Sequence, residues 1–199
     1  MTDKKRTIFI CHGTGCISGK AVVIRKALLM AINIGVSAGL EVDFTGCHGL
    51  CAQGPIAVVE PDGIFYTHVS PEDVPEIIQS HFIEGKPVSR LFYHDPSTGE
   101  AIPHYKDIDF YRKQKRVILR NCGHINPERI EDYIAAGGYR ALRRVISELN
   151  PPQVINEVKN AGLRGRGGAG FPTGLKWAIC HNAPGKTKHV ICNADEGDP

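Results

Sequence analysis

No segment of this 199-residue chain is apolar for long enough to span a membrane or to act as a secretion signal. Met1-Thr-Asp-Lys-Lys-Arg-Thr7 leads into only four residues of apolar character before His12, so a cytoplasmic location is expected. Charge of neither sign dominates: 24 Lys and Arg against 21 Asp and Glu leave +3. No basic run is interleaved with aromatics, so nucleic acid is not an expected partner. No C-x-x-C occurs, which argues against dithiol exchange. Seven cysteines are an odd number in a chain without a leader, and a disulfide framework is not expected; metal ligation or redox chemistry is the better use for some of them. What remains, 42% hydrophobic and 23% charged, is the composition of a globular protein of one large or two small domains.

Glycine is concentrated in one place. Gly162-Leu-Arg-Gly-Arg-Gly-Gly-Ala-Gly-Phe-Pro-Thr-Gly-Leu-Lys176 holds six glycines within thirteen residues, among Arg164, Arg166 and Lys176. Such density implies backbone conformations or close approaches that side chains would forbid. Free amides beside cations make a pocket for phosphate, and the apolar Leu163, Phe171, Pro172, Leu175 and Trp177 argue against a flexible linker. Gly165-Arg-Gly-Gly-Ala-Gly170 matches G-x-G-x-x-G by letter, but a helical pattern from Pro151 precedes it where the dinucleotide fingerprint needs a strand. Leu175 separates Gly174 from Lys176, so it is not a P-loop either.

The first 85 residues alternate in type. Strands are predicted at 7–10 and 41–45, with a helix over 19–36 capped by Ser18 between them. Pro61-Asp-Gly63 marks a hairpin between 56–59 and 64–68, and Ser70-Pro71-Glu72-Asp73 opens a helix that should end near Gly85. Cys11-x4-Cys16 and Cys47-x3-Cys51 each follow a predicted strand, so the two loops can meet at one end of the sheet. Four thiolates gathered there suit a [2Fe–2S] cluster, and Gly13, Gly15, Gly46, Gly49 and Gly54 leave amides free to face the sulfurs. A structural zinc is compatible with the same spacing. His12 and His48 adjoin the cysteines, but four thiolates already suffice.

Residues 86–115 read as a linker followed by an extended arm that Tyr105, Phe110 and Tyr111 could anchor; its basic stretch, 106–116, reads by default as solvated surface. A strand is predicted at 116–120, and Cys122 reads as a packed free thiol. Helices follow from Asn126, from Tyr139 to Leu149, from Pro151 and around Lys176. A strand at 189–192 then delivers Asn193, Asp195 and Glu196 at its C-terminal end, where α/β folds bind ligands. An amide and carboxylates facing a phosphate loop suit FMN, with Phe171 as a stacking face. Acid–base work by Asp195 and Glu196 is the rival, but no nucleophile or second acid is placed to assist, and no catalytic residue is assigned.

Two resemblances follow from these residues. The C-x4-C and C-x3-C pairs, set in a strand–helix–strand–hairpin–helix order over residues 5–85, resemble the thioredoxin-like [2Fe–2S] ferredoxins. Asp132-Tyr-Ile-Ala-Ala-Gly-Gly-Tyr-Arg-Ala-Leu142, the 162–177 stretch and Cys192-Asn-Ala-Asp-Glu-Gly-Asp198 resemble the flavin- and NAD-binding subunit of respiratory complex I and its relatives in soluble NAD-linked hydrogenases and formate dehydrogenases, electron-bifurcating complexes included.

The implied fold class is α/β: a ferredoxin-like domain over 1–85, a linker and arm over 86–115, and the N-terminal part of an FMN/NAD-binding domain over 116–199. The resemblance implies that Gly165, Arg166, Gly167, Gly168 and Lys176 line the FMN phosphate and NAD(H) site, that Phe171 stacks on the nicotinamide nucleotide, and that Asn193, Asp195 and Glu196 contact FMN. It also implies Cys11, Cys16, Cys47 and Cys51 as [2Fe–2S] ligands. The activity expected is that of an NADH:acceptor oxidoreductase within a complex. Its expected partners are a small [2Fe–2S] subunit and a hydrogenase or formate dehydrogenase catalytic subunit. The family continues into a ubiquitin-like domain and a [4Fe–4S] cysteine motif, for which Cys180 and Cys192 cannot stand in, so the chain reads as a fragment. The alternatives are a non-enzymatic [2Fe–2S] carrier or docking module and a zinc-stabilised interaction domain.

Overall fold

The computed structural model describes residues 6–33, 39–166, 169–189 and 191. The chain forms two compact units, Met1–Ala136 and Gly137–Pro199.

The first unit is built on strand β1 (Arg6–Cys11), whose Ile8 and Ile10 are buried on alternate positions. After the short helix α1 (Thr14–Ser18), helix α2 (Ala21–Asn33) buries Ala21, Ile24 and Leu28 at helical spacing. Each fully buried Ile or Leu contributes about 1.5–3 kcal/mol relative to exposure. The single helix expected from Ser18 is thus two helices, with Ser18 ending the first rather than capping the second; its predicted end near Val36 lies outside the described residues. Strand β2 (Leu40–Thr45) runs parallel to β1, while β3 (Ala57–Glu60) and β4 (Ile64–Tyr66) complete an antiparallel hairpin on the other side. The order is β2-β1-β3-β4, and Gly63, at φ +69, makes the hairpin turn as the sequence predicts.

Ser70 opens the next helix as expected, and it forms a capping box with Asp73. The helical stretch that follows is composite: a 3₁₀ turn at Pro71–Asp73, α3 (Val74–Glu76) and a π-helical stretch Ile77–Ile83. It buries Val74, Ile77, Ile78 and His81. The His81 Nδ1 lies 2.8 Å from the Tyr66 hydroxyl, which also accepts the Val88 amide at 3.0 Å, so both buried polar groups are satisfied.

Residues 86–115 are packed onto the first unit's sheet. Thr67 donates its amide to the Leu91 carbonyl at 2.8 Å and Phe65 to that of Pro103 at 2.7 Å, so the free edge of β4 is covered. A small hairpin of β5 (Tyr93–His94) and β6 (Ala101–Ile102) lies between these contacts, and α4 (Asp109–Arg112) follows. Val88, Leu91, Tyr93, Ile108 and Tyr111 join the core. No strand forms at 116–120: residues 118–120 make a turn, and Val117, Ile118 and Leu119 are exposed. An apolar triplet specifies a strand only where another strand offers its edge. The next helix, α5 (Ile130–Ala135), begins later than its Asn126 signal, because the Asn126 side chain caps the Glu128 amide and reaches Asp43 Oδ1 at 2.9 Å.

The second unit comprises α6 (Arg140–Glu148), α7 (Pro151–Asn160) and α8 (Thr173–Asn182). Asn150 and Gln153 cap α7 reciprocally, with Pro151 in its first turn. Helices α7 and α8 meet through Gly174, where an added Cβ would lie 2.6 Å from the Lys159 backbone nitrogen. Arg144 holds Glu157 through two guanidinium nitrogens, at 2.6 and 3.0 Å. Among the described residues, no helix is long and apolar enough to cross a membrane.

Candidate metal centre and glycine loop

The parallel pairing of β1 and β2 brings the two cysteine loops together. Cys11 at the end of β1 is in register with Thr45 at the end of β2, so both chains leave the sheet at the same end. Cys16 lies in α1, and Cys51 opens a 3₁₀ turn with Gln53. Glycines let the loops interlock. An added Cβ at Gly13 would lie 3.0 Å from Cys47 Sγ, and one at Gly54 would lie 2.9 Å from Cys16 Sγ. One at Gly15 would lie 3.8 Å from Cys51 Sγ. A side chain at 13 or 54 would therefore take space that the sulfurs occupy.

Backbone amides face the sulfurs. The Gly49 N–H donates to Cys47 Sγ at 3.3 Å, and the backbone amides of Gly13 and His48 beside Cys11, and of Ile56 beside Cys16, favour the thiolates. Cys11 and Cys16 are buried neighbours; their interaction holds the Cys16 thiol down at about 7 and, with burial, pushes Cys11 up. Cys47 and Cys51 are exposed and also paired, and the charge of Cys47 raises Cys51. Among the described residues, no three His, Cys, Asp or Glu side chains converge on the position of one metal ion. The sulfurs form two neighbouring pairs, one buried and one at the surface. Two pairs of thiolates with amide donors beside them are what a two-iron, two-sulfide cluster requires, and these four residues could hold one.

Both neighbouring histidines pack against aromatic rings, and the buried His48 Nε2 has no hydrogen-bond partner. His12 leans on Phe44, with ring centroids 4.6 Å apart. His48 is buried edge-on to Phe65 at 5.6 Å, and burial, then His124 and Arg116, lower it to about 4. The sequence did not reveal what covers this loop. The Tyr111 hydroxyl donates to the His48 carbonyl at 3.0 Å, and the Phe110 ring lies 3.6 Å from where a Cβ of Gly49 would stand. Gly123, at φ +86, sits so close to the His48 ring that an added Cβ would fall 2.6 Å from it. Thr45 Oγ1 donates to the Ile125 carbonyl at 3.0 Å. The two aromatics stand out in a polar segment, but nothing local to them names the loop they cover.

The glycine loop of the second unit is closed at its base. Gly165 donates its amide to the Phe171 carbonyl at 2.9 Å, Thr173 donates to Leu163 at 2.9 Å, and the Arg164 guanidinium donates to the Gly170 carbonyl at 3.1 Å. Phe171, Arg166 and Lys176 are exposed, with Lys176 in the first turn of α8. A cavity of about 330 Å³ opens beside the loop, lined by Lys159, Gly162, Leu163, Arg164, Pro172, Gly174 and Leu175. Gly165, Arg166, Phe171 and Lys176 do not line it. Gly167, Gly168, Asn193, Asp195 and Glu196 lie outside the described residues, as do Val190 and Cys192 of the expected strand.

Residues 158–199 match the Nuo51 FMN-binding domain family. The chain is 54% identical over 88 residues to the NADP-reducing hydrogenase subunit HndC of Solidesulfovibrio fructosivorans, which spans 44% of this chain and 18% of that protein. It is 32% identical over 158 residues to the NAD-reducing hydrogenase HoxS subunit alpha of Cupriavidus necator, covering 78% of this chain and 23% of that one. The chain thus spans about a fifth of the length of these curated relatives. Among solved structures, the thioredoxin-like [2Fe–2S] ferredoxin from Aquifex aeolicus is 31% identical, covering 44% of this chain and 95% of that one with a TM-score of 0.41. The chain is similar to NAD- and NADP-reducing hydrogenase subunits and to NADH-quinone oxidoreductase F subunits, and its residues 158–199 match the Nuo51 FMN-binding domain family.

Proposed function

We propose that the chain is part of an NADH dehydrogenase-type flavoprotein subunit, passing electrons between NAD(H), FMN and iron–sulfur centres in a soluble NAD-linked hydrogenase or a similar complex. The observation that carries this is the glycine cradle, in which Gly13 and Gly54 yield their side-chain space to Cys47 and Cys16. Its presence in one chain with sequence of an FMN-binding family supports the same reading.

A flavin, when bound, exchanges a hydride for single electrons, and an iron–sulfur cluster stores one electron at a time. In this reading Cys11, Cys16, Cys47 and Cys51 hold a [2Fe–2S] cluster within the module of residues 1–85. Gly165, Arg166, Gly167, Gly168 and Lys176 receive the FMN phosphate and the nicotinamide nucleotide. Phe171 supplies a stacking face, and Asn193, Asp195 and Glu196 contact FMN. The complex would add a small [2Fe–2S] subunit and a hydrogenase catalytic subunit. The buried Cys11–Cys16 pair excludes water from one side of the site, while the exposed Cys47–Cys51 pair leaves the other open to exchange electrons.

The test is anaerobic loading of the full chain with iron, sulfide and FMN, followed by mixing with NADH. The proposal expects a red-brown chromophore, flavin released on denaturation, and bleaching of both by NADH. A loaded chromophore with no retained flavin selects the carrier module instead, and a colourless zinc protein contradicts the electron-transfer reading altogether.

A further inference from the structure

Tyr111 lies on α4, beyond the strand–helix–strand–hairpin–helix module, yet it is buried and its hydroxyl donates to the His48 carbonyl at 3.0 Å. That carbonyl belongs to the same peptide unit as the Gly49 N–H, which donates to Cys47 Sγ at 3.3 Å. One amide is therefore gripped at both ends: oxygen by Tyr111, hydrogen by the sulfur. A donor at the oxygen draws electron density toward it and makes the N–H a stronger donor in turn. The arrangement is held from several sides. The Arg116 guanidinium lies 5.2 Å over the Tyr111 ring, Phe65 meets that ring edge-on at 5.9 Å, and Gly49 adopts φ +88, which favours glycine.

We infer that Tyr111 is a positioning residue for the Cys47 thiolate, acting through the 48–49 peptide to raise the site's affinity for an electron. The inference rests on the reading of Cys47 as a cluster ligand. Amide donors to sulfur favour the reduced, more negative state of an iron–sulfur site, so weakening this donor makes reduction harder. A tyrosine that only filled space and satisfied its own hydroxyl would leave that affinity unchanged once the ring was kept and the oxygen removed.

The experiment is a redox titration of the full chain loaded with iron and sulfide, comparing wild type, Tyr111→Phe and Asn126→Ala. Asn126 anchors the same covering segment to Asp43 at 2.9 Å but does not touch the 48–49 peptide, so it controls for loosening of that segment. Tyr111→Phe is expected to keep its iron and to lower the reduced-to-oxidised ratio at a fixed potential about threefold, roughly 30 mV for one electron. Asn126→Ala is expected to leave the ratio unchanged. Should the phenylalanine variant fail to fold, 3-fluorotyrosine placed at position 111, a stronger donor of the same shape, is expected to move the ratio the opposite way. An unchanged ratio in Tyr111→Phe or with 3-fluorotyrosine, or an equal shift in Asn126→Ala, overturns the inference. A wild-type chain that takes up no cluster at all overturns the cysteine reading, and this inference with it.

Discussion

The two units hold their candidate sites differently. The cysteine loops grow from adjacent, parallel strands of a sheet whose core is continuous, and they are interlocked by glycines and covered by a later segment. The glycine loop is carried by two helices that meet at Gly174, with Phe171, Arg166 and Lys176 exposed. Positions around the buried Cys11 and Cys16 sulfurs are therefore constrained by packing, while the glycine loop is held by a few bonds at its base. A site built on a core should fail sharply when its packing is altered, and one built on a surface loop should fail gradually.

The largest expected break is at the cradle. Gly54→Val places a side chain where Cys16 Sγ and the Cys51 carbonyl stand, at 2.9 and 3.3 Å from the first added carbon, and should abolish iron retention as measured by metal analysis. Next, Leu28→Ala in the fully buried face of α2 should destabilise the first unit by about 2–5 kcal/mol in urea unfolding. Ile146→Ala, on the exposed face of α6, should change stability by less than about 0.5 kcal/mol. Gly174→Ala should part α7 from α8 at a cost of about 1–3 kcal/mol, read from loss of helical circular dichroism in denaturant.

Acid should weaken the first unit through two groups outside the cysteine site. Burial keeps His81 neutral against the opposing pull of Asp62, so its folded value lies below the ordinary 6.5. Burial alone would raise Asp73, but the Ser70 amide, Arg90 and the Ser70 hydroxyl outweigh it and hold the carboxyl below its ordinary 3.8. Both groups bind fewer protons folded than unfolded, so stability rises with pH. The His81 contribution is complete above about pH 6.5 and is lost as pH falls through the lower folded value; that of Asp73 follows at more acid pH. Urea midpoints that fall from pH 8 to pH 5 in wild type, and fall less in His81→Gln with the buried His48 and His124 carrying the remainder, are the expected result. A comparably small effect is expected at Arg144→Ala, whose exposed pair with Glu157 is worth about 0–1 kcal/mol.

Most of what the sequence disclosed was local. Turn and start signals at Pro61–Gly63, Ser70–Asp73 and Pro151 announced their elements, because those residues act within a few positions of themselves. The cysteine pairs were legible for the same reason: each follows a strand, and two parallel strands must end side by side. What escaped depends on distant partners. Residues 86–115 could not be seen to cover β4, since an edge strand advertises nothing in the sequence of the segment that pairs with it. The apolar triplet 117–119 mimicked a strand for want of that same information. Tyr111 was legible as an anchor, but its acceptor stands 63 positions away. Of the expected flavin contacts, only Gly165, Arg166, Phe171 and Lys176 fall among the described residues.

Whether four sulfurs act in two pairs is tested most directly by Mössbauer spectroscopy of the iron-enriched chain, with iron and sulfide analysis. The prediction is two equally abundant iron sites with about two irons and two sulfides per chain, lost when Cys11, Cys16, Cys47 or Cys51 is changed to serine and kept in Cys122→Ser. A single metal without sulfide, or a signal indifferent to those four serines, would contradict it.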